Sequence, residues 1–269
     1  MSSWSLLLPC DIRNQISSYL DQYNKYYPVI NYKKYLIKYV AGDNETNKEL
    51  KQLTNLQELH CFYNTNFTDK GLSYLTNLQV LNCEYNVNFT DEGLKYLTNL
   101  KELDCGYDLS NFTDEGIKHL TGLQKLGCLK NTNFTNKGLS YLTNLQTLFC
   151  GNYIKFTDEG LCYLTNLQVL YCTYYTNFTD NGLKYLTNLR ILDCSDNTNF
   201  TDEGLCYLTN LQKLNCGYNN NFTDDGLRHL TNLLILDCGK NTNFTDEGIK
   251  QLTNLLDLDR GKNTNLTYE

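Results

Sequence analysis

Twelve cysteines and three histidines are the residues of this 269-residue chain whose types could carry nucleophilic, redox or metal chemistry. No two cysteines form a C-x-x-C pair, so the spacing of a zinc knot or a dithiol redox motif is missing. Nine of them recur at one place in a repeated phrase: Cys61, Cys83, Cys105, Cys128, Cys150, Cys172, Cys194, Cys216 and Cys238. In-register strands would hold such side chains ~4.8 Å apart, beyond the ~3.8 Å between the Cβ atoms of a bridged pair. The ladder therefore predicts free thiols buried as small apolar residues. Cys162 and Cys206 lie off it, in "GLCYL", with no histidine beside them to activate a thiol. His60 stands at a strand place, and His119 and His229 replace the tyrosine of other repeats. Nothing has the form of a glycine-rich phosphate loop, a paired-histidine helix or a nucleophile elbow. The expectation is a chain that is not an enzyme, with no catalytic residue, no metal and no cofactor.

Binding chemistry falls on the variable positions beside the strand leucines, because alternation turns those side chains away from the core. In the early coils these are Glu58, His60, Phe62, Glu84, Tyr85, Glu102, Asp104 and Tyr107. Further along come Phe149, Tyr171, Tyr174, Asp193, Asp196, Tyr218, Asp237 and Asp259, with Lys213, Lys240 and Asp257 among them. Carboxylates interleaved with rings suit a basic segment of a protein target, the rings giving anchor area and the charges orientation. Asparagines at the strand exit, Asn64, Asn86, Asn131, Asn197, Asn219, Asn241 and Asn263, are expected to bond backbone groups of the next coil. The "NFT" triplets match a glycosylation sequon, but the repeat generates them with or without a sugar.

The elements that hold these residues follow from the repeat itself. "LTNL" begins at Leu53, Leu75, Leu97, Leu142, Leu164, Leu186, Leu208, Leu230 and Leu252, with "LTGL" at Leu120. The period is 22, broken only by one extra residue in "GYDLSNF", which is expected to loop out. In one unit, "LTNLQVLNCEYNVNFTDEGLKY", Leu78, Leu81 and Cys83 have strand spacing, and Thr90, Asp91 and Glu92 form a helix start. Leu94 and Leu97 then face inward from about two helical turns. Strand, turn and helix make one coil, and a lone coil would bury too little to fold, so the coils must stack.

The pattern L-x-x-L-x-L/C-x-x-N followed by "FTDEGL" resembles the leucine-rich repeat, in its cysteine-containing subtype. That resemblance implies an α/β solenoid, with a curved parallel sheet on the concave side, short helices on the convex side and a small N-terminal helical cap. The organisation expected is an N-terminal unit over residues 1–45 and an array of about ten 22-residue repeats over 46–269.

One apolar stretch is never repeated. In "LLLPCDIRNQISSYL", Leu8, Ile12, Ile16 and Leu20 fall four apart on one helical face, with Pro9 suited to the helix start. Leu8, Pro9, Asp11, Ile12, Ile16, Tyr19 and Leu20 resemble the opening of an F-box, and "YKKYLIKYV" stands where its later helices would lie. The tryptophan often found there is absent, with Tyr35 the nearest substitute. An F-box ahead of such repeats implies a substrate-recognition subunit of a cullin-RING (SCF-type) ubiquitin ligase. It would dock a Skp1-like adaptor through those seven residues and a target through the concave face. The alternative is a binding scaffold whose N-terminal helices only cap the array.

Charge agrees with this division. The first forty residues hold five Lys/Arg and two Asp, leaving 18 basic and 28 acidic residues for the rest. An acidic body argues against nucleic acid, and no run is long and apolar enough for a membrane helix. The chain is expected to lie in the cytoplasm, of the host cell if its Asn-, Tyr- and Lys-rich copying reflects a giant DNA virus. Arg260 and Leu266 replace the repeat's cysteine and phenylalanine, so either a frayed last coil or self-association through the C-terminal edge is expected.

Overall fold

The computed structural model describes residues 36–106, 111–151, 153–174 and 176–267. The F-box-like residues and Tyr107 lie outside them. Eleven strands form one sheet in strictly sequential order. They are β1 (Lys38–Val40), β2 (Glu58–His60), β3 (Val80–Asn82), β4 (Glu102–Asp104), β5 (Lys125–Gly127), β6 (Thr147–Cys150), β7 (Val169–Cys172), β8 (Ile191–Asp193), β9 (Lys213–Asn215), β10 (Ile235–Asp237) and β11 (Asp257–Asp259). Every pairing is parallel and one repeat out in sequence, as in Leu81↔Leu103 and Leu192↔Leu214. Between consecutive strands lies one helix of four or five residues, from Asn47–Leu50 to Asp246–Lys250. The helices are thus single turns, shorter than the two turns expected.

The core is a set of columns. Leucines of strand and helix, the phenylalanine of each "NFT" and all nine ladder cysteines are buried, with Leu258 of the last strand only partly so. The thiols are free, and their Sγ contacts run to a carbonyl one coil ahead, as from Cys194 to Asn215 O at 3.5 Å. Burial raises the pKa values of Cys61, Cys83, Cys128, Cys150, Cys172, Cys194, Cys216 and Cys238, to about 11 for the last.

The phrase T-D-x-G-L is a clamp between coils. Asp180 accepts from the Thr201 backbone N–H at 2.9 Å and from the Thr201 hydroxyl at 2.6 Å. The same pair of bonds joins Asp69 to Thr90, Asp91 to Thr113, Asp114 to Thr135, Asp158 to Thr179, Asp202 to Thr223 and Asp224 to Thr245. Each of these seven threonines also N-caps its own helix, accepting from the amide two residues on. Asparagine replaces the aspartate at Asn47 and Asn136, and there Nδ2 donates to the threonine hydroxyl. Those two threonines, Thr68 and Thr157, make no side-chain cap. A hydroxyl that gives its proton to a carboxylate keeps both lone pairs for the helix; one that accepts from an amide has one of the two already engaged. The glycine makes room: a Cβ on Gly204 would lie 2.2 Å from Asp180 Oδ1.

Asparagines complete the stack, and here the expected direction is corrected. The amides of Asn64, Asn86, Asn197, Asn219, Asn241 and Asn263 donate to the preceding coil, Asn86 to Asn64 O at 2.6 Å and Asn241 to Asn219 O at 2.6 Å, instead of serving the next one. Their Oδ1 atoms accept from their own turn, as from Asn88 N and Phe89 N. The sequon asparagines do likewise, Asn199 Nδ2 reaching Thr176 O at 2.9 Å. In two coils the strand-exit place holds Tyr153 and Tyr175, and Ile154 and Thr176 are buried beside it. Those are the coils of β6 and β7, which run four residues and add the pair Cys150↔Cys172.

A second correction concerns the N-terminal unit. Lys38–Val40, expected among its helices, is strand β1 and pairs with β2 from Lys38↔Glu58 to Val40↔His60. Tyr39 packs on the core between two outward neighbours, the alternation of a half-buried strand. The sheet therefore begins before residue 46.

Candidate binding face and rim

Eleven of the expected target-binding residues lie on strands and point away from the leucines: Glu58, His60, Glu102, Asp104, Phe149, Tyr171, Asp193, Lys213, Asp237, Asp257 and Asp259. Phe62 and Glu84 continue that face one residue past the cysteine, Phe62 stacking on His60 at 5.9 Å. Phe149 and Tyr171 stack at 4.5 Å and 9°, with the Lys125 ammonium 5.7 Å from the Phe149 ring centre.

Tyr85, Tyr174, Asp196 and Tyr218 do not sit beside strand leucines. They lie in the strand-exit turn with left-handed backbone, φ 61°, 66°, 61° and 66°. At the second place after the cysteine an extended chain would turn them inward; positive φ swings them onto a rim beside the face. A left-handed bulky residue costs ~1–2 kcal/mol. Tyr63, absent from the expected set, belongs to the same row with φ 56° and is 61% exposed. Its ring lies 4.4 Å from that of Tyr85 at 14°. No sequence rule places tyrosine in this conformation, so periodicity alone could not have found it.

The face is less uniformly acidic than the sequence suggested. Burial pushes the Glu58 carboxyl up, but hydrogen bonds and charge from Lys38 and His60 outweigh it and hold the carboxyl below its usual range. His60 Nε2 is 2.7 Å from Glu58, and Lys125 reaches Glu102 at 3.4 Å. Several carboxylates also serve the fold: Asp193, Asp237 and Asp259 each accept from the backbone N–H two residues on, bracing the turn. Asn215 does the same for Gly217. Glu84 differs, since burial and the neighbouring Asp104 carboxylate push its pKa up to about 7. Asp237 is raised by burial and by Asp259, against opposing effects of the Gly239 amide and Lys213.

Among the described residues no three His, Cys, Asp or Glu converge as a metal would require, and no described helix is long and apolar enough to cross a membrane. Cys162 and Cys206 are half-buried on the helical side, each Sγ donating to the carbonyl three residues back.

Residues 187–229 match the family model of leucine rich repeats in two copies. No curated protein sequence matches the chain. Among solved structures the chain is similar to an internalin from Listeria monocytogenes, at 23% identity and TM-score 0.56 over 89% of this chain and 85% of that one. It is also similar to a chain of the Rad7 and Elc1 complex in yeast, at 18% identity and TM-score 0.60 over 96% and 86%. A third is the TLR13–ssRNA13 complex, at 22% identity and TM-score 0.57 over 80% of this chain, which spans 34% of that one. The fold is the expected α/β leucine-rich-repeat solenoid.

Proposed function

We propose that this leucine-rich-repeat solenoid is a protein-interaction module and the target-recognition subunit of a cullin-RING ubiquitin ligase. The strand face takes the target, and Leu8, Pro9, Asp11, Ile12, Ile16, Tyr19 and Leu20 take a Skp1-like adaptor. The observation that carries the first half is the strand face itself: stacked rings and carboxylates in water, on a scaffold whose leucines, phenylalanines and thiols are spent on one another. The second half draws support from the F-box-like residues and from the likeness to a chain solved as a complex of Rad7 with Elc1. Affinity purification tests both. The adaptor and cullin should co-elute with the full chain and be lost on combining Pro9→Ala with Ile12→Asp, while circular dichroism stays unchanged. Other captured proteins should be lost on combining Asp193→Lys with Asp237→Lys. Retention of the adaptor by the first variant rejects the ligase reading.

A second reading is favoured by β1, which joins the N-terminal segment to the sheet: that segment caps the first coils and binds no adaptor. Deleting residues 1–35 should then lower the unfolding midpoint of the whole array.

A further inference from the structure

The strand-exit rim carries a surface feature that the packing of the array does not require. Tyr63, Tyr85, Tyr174 and Tyr218 all hold left-handed backbone, an unfavourable state for a bulky residue. Tyr63, Tyr174 and Tyr218 nonetheless stand 61%, 51% and 49% exposed. Other coils make a left-handed turn at that place with Lys130 or Asp196, so the bend needs no ring. Tyr63 and Tyr85 stack into a platform. The chain itself displays the chemistry such a ring accepts, since the Lys240 ammonium lies 4.5 Å from the Tyr218 ring centre. Beside the rim, the Asp104 carboxylate faces Glu84 and adds to the negative charge there.

We propose that the rim is the anchor row for an extended, lysine- or arginine-bearing segment of a partner protein, its cations lying over the tyrosine rings and answered by carboxylates of the adjoining strand face. This rests on the strand-face reading above and adds where the affinity resides. Exposed aromatic anchors with a polar surround are the arrangement in which few residues dominate binding, and complementary charge sets the register of the segment.

The test is fluorescence anisotropy with a labelled dodecapeptide of alternating lysine and glycine, against a glutamate–glycine control, using the full chain. A rim variant carries Tyr63→Gly, Tyr85→Gly, Tyr174→Gly and Tyr218→Gly; a face variant carries Glu84→Gln and Asp104→Asn. The lysine peptide should bind and the glutamate peptide should not. The rim variant should bind at least tenfold more weakly with an unfolding midpoint unchanged or higher, because glycine accepts the left-handed turn without strain. If it fails to fold, the corresponding Tyr→Asn variant carries the same expectation, asparagine tolerating that conformation. Undiminished binding by a folded rim variant overturns the proposal, and loss in the face variant alone then leaves the strand-face reading standing. Equal binding of the two peptides, or none of the lysine peptide, overturns the basic occupant; the strand-face reading is then decided by the purification described above.

Discussion

Replacing Asp180 separates two properties of the inter-coil clamp, its hydrogen-bond geometry and its charge. Asp180→Ala leaves the Thr201 amide and hydroxyl without the acceptors they have at 2.9 and 2.6 Å. A hydrogen bond to a charged group contributes ~1.5–3 kcal/mol net, and Thr201 is only half-buried, so water recovers part of the loss. A cost of about 2–4 kcal/mol follows for the pair. Asp180→Asn keeps both contacts, as Asn136 shows with Thr157 N at 2.9 Å and the Thr157 hydroxyl at 2.8 Å. What it forfeits is the N-cap, which both natural asparagine coils lack, worth ~0.5–1 kcal/mol. Urea unfolding followed by circular dichroism gives the two costs, and hydrogen exchange at the Thr201 and Glu203 amides localises them. If asparagine costs as much as alanine, charge and not bond geometry carries the clamp, and the reasoning fails; an alanine cost below ~0.5 kcal/mol refutes it as well.

Gly204→Ala should destabilise by ~2–3 kcal/mol through its clashes with Asp180 Oδ1 and Leu183 Cδ1, and less in an Asp180→Ala background, where only the second remains; a double-mutant cycle showing additivity would contradict this. Glu84, with its folded pKa raised to about 7 from the usual 4.5, binds its proton more tightly folded than unfolded. Its contribution is therefore complete below pH 4.5 and lost as pH rises toward 7, and Glu84→Gln should flatten that slope by roughly 1 kcal/mol or less, discounted for the half-exposed carboxyl. Denaturant midpoints between pH 4 and 8 measure it. Thiol titration of the folded protein should label Cys162 and Cys206 well before Cys105, Cys128, Cys150 or Cys194, which are buried; early labelling of those four would mean the ladder opens.

The columns of leucine, phenylalanine and cysteine were legible because each recurs at the same place in every copy, and only burial makes a thiol, a ring and a leucine equivalent. The clamp was not, although every Thr and Asp of it was visible. In identical copies nothing tells whether Asp180 bonds its own threonine or the one 21 residues on. The same degeneracy hid the direction of the asparagine bonds. β1 escaped notice because Lys38–Val40 carries none of the repeat's leucines. On the binding face, alternation turns Glu58 and Asp104 outward as expected, but it fails three residues past the strand, where positive φ replaces extended backbone at Tyr85 and Tyr218.

The gap in the asparagine column at β6 and β7 has a mechanical side. There the coils are joined by one more rung of main chain, Cys150↔Cys172, and lack the buried amide rivet found at Asn86 or Asn241. Sheet hydrogen bonds tolerate a small change of twist, whereas a buried amide locked to three backbone groups does not. When the molecule bends to wrap a partner, the pitch should therefore alter between these two coils while the riveted stretch from Asn197 to Asn263 turns as a stiffer arm.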